Sequence, residues 1–203
     1  MNIRRFLARA TALLGLATCA VIAQADPIVT AWTDWKKDGA TAMSGTMMLA
    51  SGAVKVKFSA PTIYFDQIGE EFDRDYWTYG DTAYAATGRP VGKDLIGFIG
   101  GTADAQYRIT FSRPVTDPVF AILSLGRAGL PARYVFKQTP VVLSSGTGYY
   151  GGCADCLTVS RKTLSGTEGH GIVQFVGTYK SITWTEPDAE NWHGIQVGAP
   201  IDQ

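Results

Sequence analysis

"PVFAILSLG", residues 118 to 126, is apolar at nearly every position. A strand with one wet face alternates apolar and polar residues, so a run without alternation reads as a strand buried on both faces. The chain around it is β in character. "AVKVKFSA" (53–60) alternates, with Val54, Val56 and Phe58 on one face and Lys55 and Lys57 on the other. "YRITF" (107–111) repeats the pattern with Tyr107, Ile109 and Phe111. "ARYVFK" (132–137), "PVVLS" (140–144), "CLTVS" (156–160), "GIVQFVG" (171–177), "YKSITWT" (179–185) and "WHGIQVG" (192–198) continue the series. No segment sustains a helical period. The nearest, "DQIGEEFDRDYW" (66–77), is broken by Gly69 and opens a long surface loop running to about Asp94. Short strands between turn residues predict a single all-β domain, an antiparallel β-sandwich of jelly-roll type, over residues 26–203.

Residues 1–25 have the form of a secretory signal peptide. Arg4, Arg5 and Arg9 precede the apolar run "ATALLGLATCAVIAQA", which ends in the small-x-small triplet Ala23-Gln24-Ala25. Cleavage is expected after Ala25, giving a secreted or periplasmic protein. "RRFLA" (4–8) is similar to a twin-arginine signal. "LATC" (16–19) is similar to the lipobox of bacterial lipoproteins, with Cys19 as the acylated residue, although Thr18 and the apolar residues after Cys19 depart from it. Loss of the leader removes three arginines and no acid, so a neutral chain becomes acidic, at about −3. No basic cluster remains, which argues against nucleic acid as a partner. Nothing after the leader is long and apolar enough to be a transmembrane helix.

Cys153 and Cys156 are the only cysteines beyond the leader. In "GGCADC" they are flanked by glycine and a strand, a setting for a small disulfide clip in an oxidising compartment. A redox Cys-x-x-C would start a helix in a βαβ unit. A zinc site would have to add His170 and His193, too far apart for finger spacing. The two histidines occupy matching places in "EGHGIVQF" (168–175) and "ENWHGIQV" (190–197). Parity separates them. His193 shares a face with Ile195 and Val197, which predicts a packed residue hydrogen-bonded to Glu190. His170 falls opposite Val173 and Phe175, which predicts an exposed, dispensable one.

Three stretches, "FSRPVTDPVFAILSLG", "LSGTEGHGIVQFVGTYKSITWT" and "ENWHGIQVGA", resemble the β-sandwich ectodomain of secreted bacterial PEP-CTERM-type proteins, over about residues 100–199. The resemblance implies an exported, non-enzymatic sandwich and carries over no catalytic residue. The sorting tail of those proteins has no counterpart in the final "APIDQ", which implies release rather than anchoring.

No nucleophile or phosphate-loop motif is present, and no spacing singles out a carboxylate pair among the acids. Aromatics beside acids in the long loop fit sugar binding: rings stack on pyranose faces and carboxylates take the hydroxyls. Trp77, Tyr79, Tyr84, Asp73 and Asp75 are the candidate ligand-binding residues, with Trp32, Trp35, Tyr149 and Tyr150 as further loop aromatics. No cofactor is expected, apart from a structural calcium ion that the stretch Asp66 to Asp81 would hold. The expected partner is a glycan or extracellular matrix polymer. A structural or surface-assembly role and a secreted hydrolase are the alternatives.

Overall fold

A computed structural model describes residues 26–39, 41–61, 65–67, 74–101 and 104–203; the leader lies outside them. The described residues form two antiparallel sheets packed face to face, a β-sandwich, with no helix among them.

The first sheet runs β10 (Val141–Ser145), β13 (Gly169–Gln174), β8 (Val119–Leu125), β15 (His193–Pro200), β6 (Leu95–Phe98), β5 (Phe65–Gln67), with β1 (Thr30–Trp32) also paired to β15. The second runs β11 (Leu157–Ser160), β12 (Thr163–Gly166), β9 (Ala132–Phe136), β14 (Thr178–Thr185), β7 (Tyr107–Thr116), β4 (Gly52–Ser59), β3 (Ala42–Leu49), β2 (Asp34–Lys37). From β8 onward the pairings nest: β11 with β12, β10 with β13, β9 with β14, and β8 with β15. A long hairpin folded over on itself produces this pattern. It sends the chain back and forth between the sheets and brings the loops after β10, β12 and β14 towards the same strands.

β8 is buried at every position, as its sequence requires. Phe120 and Ile122 enter the space between the sheets, while Val119, Ala121 and Leu123 point outward into a second cluster. The inner core is aromatic. Trp184 lies 5.7 Å from the rings of Tyr107, Phe120 and Phe136 and 5.9 Å from Tyr134. Such contacts add to the stabilisation from burial alone.

Residues 74–94 cover the outer face of the first sheet. Trp77 and Tyr84 are buried there against Leu95, Val119 and Ala121. Trp77 Nε1 donates to the Asp94 carbonyl (3.1 Å) and Tyr84 Oη to the Ile122 carbonyl (3.1 Å). Ser144 of β10 pins the cover from the other side, donating to the Ala83 carbonyl at 2.7 Å. From residue 74 on, the stretch expected to be a surface loop is therefore a packed layer. Its apolar rings close the side of β8 that would otherwise face water.

Candidate functional site

Three segments meet at one end of the first sheet. The first is the start of the cover, with Tyr76 and Tyr79. The second is a tight hairpin at 148–151. Gly148 N–H donates to the Gly151 carbonyl (2.6 Å) and Gly151 N–H returns the bond (3.1 Å), placing Tyr149 and Tyr150 at the tip. Gly151 has φ +98°, a conformation open to glycine. The third is the 186–192 loop, ending in Trp192. Their rings form one cluster. Tyr76 lies 5.1 Å from Tyr149 and 5.4 Å from Trp192; Tyr150 lies 5.0 Å from Tyr149 and 5.7 Å from Trp192; Tyr79 lies 6.4 Å from Tyr149. Tyr79 is 72% exposed and Tyr150 45%, so the cluster opens to solvent. Partial burial, and then the neighbouring Tyr76, push the Tyr150 hydroxyl up to about 12, so it stays a neutral donor.

Trp192 also borders a cleft of about 190 Å³ lined by Ser124, Glu168, Glu190 and Asn191. Each carboxylate of this cleft is backed by a buried histidine. On one side His170 Nδ1 accepts the Ser124 amide N–H (3.3 Å), which leaves the ring proton on Nε2, 3.5 Å from Glu168 Oε1. Ser124 Oγ donates to the same carboxylate oxygen. Because the serine hydroxyl bonds the carboxylate and not the imidazole, these three side chains are not arranged as a nucleophilic triad. Ser124 (φ +57°) and Glu168 (φ +68°) both hold left-handed backbone, which costs free energy and collects at functional sites.

On the other side His193 sits between two carboxylates, with Nε2 3.0 Å from Glu186 Oε2 and Nδ1 3.0 Å from Glu190 Oε2. Burial alone would lower the His193 pKa. The facing Glu186 and Glu190 outweigh it and push it up to about 9, so the ring is an imidazolium at neutral pH. Glu186 is buried and shifted upward by that burial, against the pull of His193 and of Trp184 Nε1, which donates to it at 2.6 Å. Tyr134, its ring tilted against His193 with centroids 5.4 Å apart, is held neutral by burial and by the two glutamates. This ion cluster, together with the two-pronged Arg133–Asp188 pair (2.7 and 2.8 Å), anchors the loop that presents Trp192.

The expected site residues divide. Tyr79 is exposed and belongs to the ring cluster. Trp77 and Tyr84 do not: they are buried in the cover, where no sugar ring can reach them, because the apolar face of β8 had to be covered. Asp75 accepts the Trp77 amide N–H at 2.9 Å and closes a turn. Asp73 lies outside the described residues. His193 faces Glu190 at ion-pair distance (3.0 Å), but its hydrogen bond goes to Glu186, seven residues earlier, instead of Glu190. His170 is corrected: its side chain is fully buried, because the 148–152 hairpin lies directly on it, and a Cβ at Gly148 would meet its ring at 2.4 Å. The histidines flank β8 from opposite faces of the sheet, so they do not form one site. Sequence reasoning passed over Tyr76 and Trp192, and had nothing to single out Glu168 and Glu186 from the other acids. The fragment "ENWHG" already placed a tryptophan between a glutamate and a histidine.

Cys153 and Cys156 are joined by a disulfide, which removes both as zinc ligands. The bridge clips the turn where the Cys156 N–H donates to the Cys153 carbonyl (3.1 Å), just after the Tyr149–Tyr150 tip. Closing so short a loop removes little chain entropy. Changing both cysteines to serine is expected to cost about 2 kcal/mol or less in urea unfolding. Near-ultraviolet tyrosine dichroism should change more than the unfolding midpoint does, since the clip acts on the hairpin; a loss above about 4 kcal/mol would refute this division.

No group of three or more histidine, cysteine or acidic side chains set to hold a metal occurs among the described residues. No protein-family model, curated protein or solved structure matches the chain.

Proposed function

We propose that this is a secreted, non-enzymatic β-sandwich protein that binds glycan or extracellular matrix polymer through its exposed ring cluster. The observation that carries the reading is the meeting of Tyr76, Tyr79, Tyr149, Tyr150 and Trp192 beside two carboxylates. Partly exposed rings supply faces for the C–H side of a sugar, with little entropy to lose on binding. Glu168, Glu190 and Asn191 supply acceptors and donors for its hydroxyls at the edge of the cleft. The Ser124 hydroxyl donates to Glu168 and the His193 imidazolium faces Glu190 at 3.0 Å, which supports a preorganised site. The disulfide fits an oxidising compartment, and export through cleavage after Ala25 belongs to the same reading.

The test is a glycan-array screen of the purified protein, with and without calcium, followed by titration of the best ligand. Trp192→Ala and Tyr150→Ala are each expected to weaken binding about tenfold, as loss of an aromatic anchor does. Both side chains are partly exposed, so the fold should survive. A protein that binds no glycan but self-associates through the ring cluster would favour the surface-assembly role. The two carboxylates of the cleft support a second reading, a glycoside hydrolase. Release of reducing ends from the bound glycan, lost in Glu190→Gln, would establish it.

A further inference from the structure

The outer face of the second sheet carries a different surface, away from the ring cluster. Strand register lines up one row across five strands: Lys36 pairs with Ser44, Ser44 with Lys57, Lys57 with Thr110, and Thr110 with Ser181. The next row holds Asp34, Thr46 and Lys55. A shallow cavity of about 540 Å³ lies over these rows. Its lysines are weakly engaged. Lys55 Nζ donates to Thr46 Oγ1 (2.9 Å), and Lys57 reaches the exposed Asp38 only at 3.8 Å. Among the described residues, neither Lys36 nor Lys55 has an ion-pair partner within reach.

We propose that this cavity binds a polysaccharide strand bearing carboxylates, at a site separate from the ring cluster. The strand-by-strand spacing repeats lysine and hydroxyl groups along one direction, which matches a linear polymer with alternating acidic and hydroxyl groups. The lysine stems give the floor an apolar component against which sugar rings can lie, while their ammonium groups reach the carboxylates. Three lysines offset by Asp34 make a modest positive field. That suits a polymer with one charge per sugar unit or fewer. Duplex nucleic acid, with a charge about every 1.7 Å, calls for a denser basic face. Nor is there a stacking platform for unpaired bases: the one aromatic bordering the cavity, Phe111, is buried.

The experiment is affinity electrophoresis and titration of the whole protein with polygalacturonate, with neutral dextran and duplex DNA as comparators, across a range of salt. Polygalacturonate should bind, more weakly as salt rises. The triple variant Lys36→Gln, Lys55→Gln, Lys57→Gln should lose affinity about tenfold or more, and its slope of log affinity against log salt should become shallower than that of the wild type. The double variant Tyr150→Ala, Trp192→Ala should bind polygalacturonate like wild type, which separates this site from the ring cluster. Unchanged binding by the triple variant overturns the proposal, as does loss in the aromatic variant alone. Equal binding of dextran, or tighter binding of DNA, overturns it as well.

Discussion

Replacing His193 by alanine is expected to cost about 3–5 kcal/mol in urea unfolding at pH 7, because it leaves the buried Glu186 and the nearly buried Glu190 facing each other with no cation between them. The packing lost against Phe98, 4.5 Å from the imidazole, adds to this. Stability should also depend on pH through this ring. In an unfolded chain it titrates near 6.5; in the fold, with Glu186 and Glu190 outweighing the effect of burial, it titrates at about 9. A raised folded pKa adds stability that is fully present below the unfolded value and lost as pH rises through the folded one. The wild type should therefore lose about 3 kcal/mol between pH 6.5 and 9. His193→Gln should flatten that slope. A loss below about 1 kcal/mol for His193→Ala, or an unchanged slope in His193→Gln, would show that the carboxylates do not depend on the imidazolium.

Trp77→Ala should be nearly as damaging, at about 3–5 kcal/mol, the usual range for emptying a buried tryptophan site. Trp77 is 1% exposed, packs edge-on to Tyr84 at 5.3 Å, and holds the Asp94 carbonyl through its indole N–H. Its loss opens a cavity over β8 and frees the cover that also carries Tyr76. Ligand binding should then fall only as far as the cover loosens, and less than in Trp192→Ala when measured well below the melting temperature. A Trp77→Ala protein with wild-type stability and no glycan binding would instead make Trp77 a ligand contact.

Most of the strands were legible in the sequence, each for a local reason. "AVKVKFSA" and "YRITF" alternate because one face is wet, and they are β4 and β7. The unbroken apolar run at 118–126 is β8, covered on both sides. β3, "AMSGTMML", was not picked out: its inward positions hold Met43, Gly45, Met47 and Leu49, which lack the β-branched and aromatic signature of a strand. β12 was not picked out either: it has only four residues, with Ser165 and Gly166 at its end, and is defined by its pairing with β9 and β11.

The candidate site was legible only in part. Parity along β13 and β15 sent His170 and His193 to opposite faces, because successive side chains in a strand alternate whatever the rest of the chain does. The approach of His193 to Glu190 needed only their nearness in sequence. Whether a face is wet is another matter. It depends on what packs over it, and that is set by segments distant along the chain. The cover at 74–94 buried Trp77 and Tyr84, and the 148–152 hairpin buried His170. In the same way Tyr76, Tyr150 and Trp192, far apart in sequence, became one cluster only because the nested pairing of the strands brings the last two loops together and the cover packed on that sheet brings Tyr76 to them. Direction along a strand is a local property of backbone geometry and was settled by sequence. Burial, and the assembly of side chains from three loops, are properties of the packed molecule, and only the tertiary structure decided them.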